Sequence, residues 1–174
     1  MSELKLPVGP GDHVQGPRDA AITLVEYGDF ECPFCGEAYP ELKIVQRAMG
    51  NRLCFVFRNF PLSNMHPHAE RAAEFAEGAA TIGHFWEMHD LLYENQEALE
   101  QRNLTRYATE LGLSHELIQS AIRGDFAERI CRDFTGGVRS GVNGTPCLFI
   151  NGRRFDGPAT AAALLEVLRS FGED

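Results

Sequence analysis

Two cysteines separated by two residues, Cys32 and Cys35, follow directly on an apolar stretch and open a run with helical periodicity. A CxxC at that junction constrains the chain more than any other feature. It needs a strand that ends and a helix that begins within a few residues, with the two sulfurs about one turn apart at the helix head. Unpaired backbone N–H groups and the positive end of the helix dipole face the first sulfur and lower its pKa. Cys32 is therefore expected to be an exposed attacking thiolate, and Cys35 the buried thiol that resolves a mixed disulfide. The other common use of a CxxC, half of a zinc site, needs a second ligand pair. Cys54, Cys131 and Cys147 are lone and far apart, and no histidine pair follows at finger spacing. The chemistry read here is thiol–disulfide exchange.

A chain of 174 residues with 44% hydrophobic content suffices for one domain with a sizeable core. The net charge of −9, with no basic block of five or more residues, argues against nucleic acid or an anionic membrane surface as partner. Residues 1–14 contain Pro7, Gly9, Pro10 and Gly11 but neither a charged n-region nor an apolar h-region, so no signal peptide is read. No stretch approaches a membrane span. As written, the chain is expected in the cytoplasm, or outside it if an export signal once preceded these residues. Five cysteines are an odd number, so at least one thiol beyond the motif stays free or pairs between molecules.

Residues 13–18 read as a turn or short edge strand and 21–27 as a buried strand that delivers the chain to the CxxC. Glu26 interrupts that strand. Its carboxylate either faces solvent or is buried; beside Cys35 it would have a raised pKa and could accept that thiol's proton through water. A helix is expected over 35–48, with Pro40 able to kink it, and a second strand over 53–60. Strand, helix and strand form a βαβ unit with parallel strands. Helical stripes follow over 68–82, 85–93, 103–111, 114–123 and 125–139, with Ser114 and Asp125 as N-caps and Glu128 completing a capping box with Asp125. A third strand is read over 145–150, with Pro146 near its start. Asn151-Gly152 signals a hairpin into 153–155, and 161–171 is a final amphipathic helix. The expected fold is α/β: a mixed four- to five-stranded sheet flanked by helices, in one domain over 1–174. Its core is expected over 15–62 and 141–174, with an all-helical insert over 63–140 lying across the site like a lid.

This order of elements resembles the DsbA-like branch of the thioredoxin fold. The resemblance rests on residues 29–35 (Asp-Phe-Glu-Cys-Pro-Phe-Cys), 58–62 (Arg-Asn-Phe-Pro-Leu), 85–89 (Phe-Trp-Glu-Met-His) and 141–146 (Gly-Val-Asn-Gly-Thr-Pro). It implies a cis Pro146 beside Cys32, with Thr145 pairing its backbone to a substrate strand, and Pro33, Phe34, Thr145 and Pro146 in contact with substrate. It also places Glu26 at the family's buried acidic position. The implied partners are unfolded or extended cysteine-containing polypeptides and a redox-recycling partner not identifiable from sequence; strand addition at an open edge suits such substrates. No cofactor is called for. Phe34 departs from the histidine that strongly oxidising members carry there, so Cys32 is expected to be moderately acidic. Cys147 is a second departure: strand alternation permits either face, making it a buried inert thiol or, facing the motif, a third thiol competing for the disulfide. Cys54 reads as a small buried hydrophobe, and a Cys54–Cys131 bridge would need a strand and a distant helix within disulfide range.

A dimeric disulfide isomerase would need a dimerisation domain, which the ~20 residues before the first strand cannot build, so a monomer is expected. A glutathione-using transferase or isomerase shares the core and insert but carries a serine-type site, which the intact CxxC opposes. A peptide-binding holdase with incidental cysteines would keep only the strand edge. His66, His68, His84 and His89 tempt a metal reading, but neither pair has HExxH spacing.

Overall fold

The structure, a computed structural model, describes residues 2–171. Its centre is a mixed five-stranded sheet in the order β1, β3, β2, β4, β5. β2 (Ile22–Gly28) runs parallel to β3 (Leu53–Asn59), from Ile22 opposite Leu53 to Gly28 opposite Asn59. α1 (Pro33–Met49) and a short 3₁₀ turn (Gly50–Arg52) connect them, forming the βαβ unit read from the periodicity. α1 starts two residues earlier than expected, because proline suits the first helical position, where its missing N–H has no partner to lose. β1 (His13–Gln15) lies antiparallel to β3, and β4 (Cys147–Ile150) antiparallel to β2. β5 (Arg153–Phe155) returns antiparallel to β4. Asn151 and Gly152 between them have φ of 46° and 80°. Both are left-handed, as a two-residue turn matching the strand twist requires.

Five helices lie between β3 and β4: α2 (Ala69–Ala80), α3 (Phe85–Glu94), α4 (Gln101–Glu110), α5 (His115–Arg123) and α6 (Ala127–Arg139). α7 (Ala161–Ser170) ends the described chain. Ser114 caps α5 as expected, its side chain accepting the Leu117 N–H. The expected cap at Asp125 is not formed. Phe126 is the N-cap of α6, and Glu74 Oε2, reaching across from α2, accepts the Phe126 N–H at 2.9 Å. The Asp125 carboxylate turns instead to Arg123, 2.8 Å away. A tertiary acceptor has displaced the local box.

The period-two alternation of the strands sorts the core into layers. Ile22, Leu24, Phe55, Leu148 and Ile150 form one face and pack against Leu42 and Val45 of α1 and Leu164 and Leu168 of α7. Val25, Tyr27, Val56 and Phe149 form the other, covered by the N-terminal arm and α6. α2 to α5 build a further cluster that takes in Phe30, Cys32, Cys35 and Phe57. Cys147 belongs to the second face with Cys54, turned away from the motif, so of the two faces open to it the strand takes the one that makes it a buried thiol and not a competitor. The five cysteines are free thiols, and Cys131 is exposed while Cys54 is buried, so the bridge considered between them is not made.

The arm is held by a contact that no local pattern announces. Arg58 is fully buried, its Nε 2.9 Å from Asp12 Oδ1 and its Nη2 3.0 Å from Oδ2. Its remaining N–H groups donate to the Tyr27 hydroxyl and to the carbonyls of Leu6 and Pro7. Burial is the largest influence on Asp12 and opposes its ionisation, but the Arg58 hydrogen bonds, the Gly9 N–H and the charges of Arg58 and Arg129 together outweigh it and hold the carboxyl below its ordinary pKa.

Candidate active site

β2 ends at Gly28, and the next four residues turn the chain into α1, with Cys32 as its N-cap. Asp29 shapes this turn. Its backbone carbonyl accepts the Cys32 N–H at 3.2 Å, and its Oδ1 accepts the Glu31 N–H at 2.8 Å. Its Oδ2 accepts the Leu62 N–H at 2.9 Å and lies 2.7 Å from His66 Nδ1. Glu31 makes a parallel link, accepting the His68 N–H and lying 2.8 Å from His68 Nδ1. The residues before Cys32 are thus tied to the loop after β3. Burial works against protonation of His66, but the Asp29 hydrogen bond and the charges of Asp29 and Cys32 raise its pKa above the ordinary value.

Cys32 is 3% exposed and Cys35 wholly buried, so the exposed nucleophile expected from the sequence is in fact covered. The reason is the loop before β4. The Cys32 thiol donates to the Thr145 carbonyl at 3.4 Å, and the Thr145–Pro146 bond is cis. What separates the two sulfurs is their electrostatic surroundings. Cys32 is lowered to about 5: a hydrogen bond from Cys35 contributes most, burial opposes it, and Thr145 and the Cys35 and Phe34 N–H groups add to the lowering. Burial raises Cys35 well above an ordinary thiol, helped by its hydrogen bond to Cys32 and the Glu26 charge. A value of about 5 lies between the roughly 7 of thioredoxin and the roughly 3.5 of strongly oxidising relatives, in keeping with Phe34 supplying no charge.

Of the two alternatives for Glu26, the structure takes the buried one. It shares the sheet face of Leu24, opposite Leu148, and its Oε1 has no hydrogen-bond partner among the described residues. Burial, then the Cys32 charge, pushes it up to about 8. Phe34, Thr145 and Pro146 line one groove beside the motif, and Phe34 is 66% exposed. Pro33 is exposed at the first turn of α1 but is not among the groove residues.

Gln96 was missed in the sequence. Its Nε2 donates to the carbonyls of Cys32 at 2.6 Å and Phe30 at 3.1 Å, fastening the motif to the segment after α3. A Cβ on Gly36 would overlap the Gln96 amide, so the glycine after Cys35 is needed for that approach. Thr145, expected at the site for its backbone, also has its side-chain Oγ1 buried with no hydrogen-bond partner among the described residues.

The family model described as thioredoxin matches residues 9–170. Among solved structures the chain is similar to oxidised BdbD from Bacillus subtilis, with TM-score 0.86, 21% identity and 99% of each chain covered. A thioredoxin-like oxidoreductase from Silicibacter pomeroyi is similar with TM-score 0.83, 23% identity and 95% of each chain covered. α-DsbA1 of Wolbachia pipientis is similar with TM-score 0.81 and 19% identity, over 98% of this chain and 95% of that one. In sequence the chain is 44% identical over 172 residues to a Na(+)/H(+) antiporter NhaA 3 of Salinispora tropica, which is 97% of this chain and 26% of that protein. It is 40% identical to NhaA 1 of Mycolicibacterium gilvum, over 97% of this chain and 28% of that protein. The chain therefore spans about a quarter of the length of these curated relatives. With the family model matching residues 9–170 and the CxxC at the head of α1, the chain belongs to the thioredoxin family.

Proposed function

We propose that this chain is a thiol–disulfide oxidoreductase acting on cysteines of extended polypeptides. The observation that carries the reading is the placing of two sulfurs in one turn of helix, Cys32 at the N-cap of α1 with its thiol 3.4 Å from the Thr145 carbonyl and Cys35 buried behind it, which lowers the first thiol to about 5 and raises the second. Cys32 is then thiolate at neutral pH. It attacks a substrate disulfide, forming one S–S bond and releasing one substrate thiolate. Cys35 then gives up its proton, through water to the fraction of Glu26 that is ionised, and attacks the Cys32 sulfur. The second substrate thiolate leaves, the substrate is reduced by two electrons, and Cys32–Cys35 is the oxidised product. Run backwards, the same steps make the protein a disulfide donor. The reduction potential and the compartment set the direction together.

Thr145, ahead of the cis bond and within reach of Cys32, is the backbone against which a substrate strand pairs. Pro33, Phe34 and Pro146 complete that contact surface. Among the described residues, no helix of this chain is long and apolar enough to cross a membrane.

The test is the reduction potential of the Cys32–Cys35 pair, equilibrated against glutathione with Cys54, Cys131 and Cys147 replaced. With Cys32 at about 5, we expect a value between roughly −120 mV for a strong oxidant and roughly −270 mV for thioredoxin. Absence of a dithiol–disulfide couple sinks the reading. Replacing both motif cysteines by serine separates it from peptide holding alone, because binding would survive and thiol turnover would not.

A further inference from the structure

The groove beside the CxxC is sided by charge. It encloses about 540 Å³ between α1 and the chain from Thr145 to Thr160. Leu148 and Ala38 lie at its base, and Phe34, Pro146, Phe155 and Pro158 make its apolar walls. Its charged residues are Glu37 and Glu41, and no Lys, Arg or His lines it. Phe34, Glu37 and Glu41 recur at the three- and four-residue steps that set them along one face of α1, with Glu37 nearer the cysteines. Glu41 is partly engaged, since its Oε2 accepts the Ala161 N–H at the head of α7 at 2.6 Å. Glu37 has neither an ion pair nor a hydrogen bond from its side chain among the described residues, and it is exposed. Arg154, next to the lining residue Phe155 on β5, does not line the groove and is occupied: its Nε is 2.8 Å from Asp156, and its Nη groups donate to Gly141 and Asn143.

Spacing converts this into a sequence preference. Glu37 stands five residues along α1 from Cys32 and Glu41 nine, roughly 7.5 and 13.5 Å at the helical rise. A bound strand advances about 3.3 Å per residue and points alternate side chains the same way. The groove runs beside α1 from Phe34 to Glu41, so a strand lying in it with its cysteine at Cys32 presents its second neighbour at the level of Glu37 and its fourth at the level of Glu41.

We infer that the polypeptides engaged by this groove carry a basic residue two positions from the reacting cysteine, with the fourth position a weaker basic site. This rests on the thiol-exchange reading and adds the substrate class. Charge complementarity selects a cationic extended segment over an acidic one, and the apolar walls accept the stem of a Lys or Arg side chain.

The test offers the reduced protein a set of peptides, each with one cysteine joined as a disulfide to mercaptoethanol, and follows release of mercaptoethanol. Cys32 attacks the peptide sulfur, mercaptoethanol leaves as thiolate, and Cys35 then displaces the peptide thiol. At low salt, a peptide with Arg at the second position should react about three- to tenfold faster than one with Glu there, the range expected of one or two partly exposed ion pairs. Added salt should shrink the ratio. Moving the Arg to the first or third position should remove most of it, which separates the groove from general attraction to an acidic protein. Glu37→Gln should lower the ratio and Glu37→Lys reverse it. Equal rates for Arg and Glu peptides, or an advantage independent of position, would overturn the inference while leaving thiol exchange standing. Failure of every peptide and of hydroxyethyl disulfide itself would overturn the thiol-exchange reading and the inference with it.

Discussion

Cys32 and Glu26 sit so close in their electrostatics that each is read through the other. Because Cys32 is lowered to about 5, its alkylation by iodoacetamide should already be half-maximal near that pH, measured on protein with Cys54, Cys131 and Cys147 replaced by serine or alanine. Cys35 supplies the largest part of the lowering, so replacing Cys35 as well should raise the midpoint. Glu26 is the opposite case, raised to about 8 by burial and by the Cys32 charge. An acid whose folded pKa lies above its unfolded value keeps its proton in the fold after the unfolded chain has released it. Its contribution to stability is complete below about 4.5 and declines as the pH rises to about 8. Glu26→Gln should therefore stabilise the protein relative to wild type by more at pH 9 than at pH 5, by up to a few kcal/mol in denaturant melts. A gap independent of pH would show that Glu26 is not held protonated. The same variant should slow resolution of the mixed disulfide about tenfold or more, since a placed proton acceptor is lost.

At the scale of elements, helix ends divide into those closed locally and those closed by a neighbour. Ser114 accepts the Leu117 N–H within its own turn, and Ser114→Ala should cost about 1 kcal/mol in a urea melt. Asp125 stands at an equally good-looking cap position, but Glu74 holds the Phe126 N–H. Asp125→Ala should accordingly cost clearly less than Ser114→Ala in the same melt, the loss of one exposed ion pair. Equal losses at the two positions would mean that α6 is capped by Asp125 after all. The helix and strand stretches themselves were legible within a few residues, because 3.6- and 2-residue periodicities are local. The cap was not, because its acceptor lies 52 residues away in the chain.

For the molecule as a whole, the joint that matters is between the N-terminal arm and the sheet. Arg58, at the end of β3, is fully buried and paired with Asp12 of the arm. Asp12→Ala would strand a buried guanidinium, and breaking one side of such a pair costs about 3–5 kcal/mol. We expect a loss of that size by thermal or urea melting. Asp12→Ala with Arg58→Met should recover part of it, because the variant no longer buries an unpaired charge. No recovery would mean that Arg58 acts mainly through its hydrogen bonds to the Leu6 and Pro7 carbonyls.

By itself the sequence determined the βαβ unit, the CxxC at a helix head, the hairpin at Asn151-Gly152 and the run of helices before β4. Each is written in neighbours a few residues apart. Tertiary structure decided which face Cys147 took, that Glu26 was buried, and that Cys32 was covered by a carbonyl 113 residues away. It also decided that Glu37 and Glu41 would look into a groove with no cation to answer them. The physical reason is the same in each case. Periodicity and turn chemistry act along the chain, whereas burial, unpaired charge and shifted pKa values exist only once distant segments have removed water from between them.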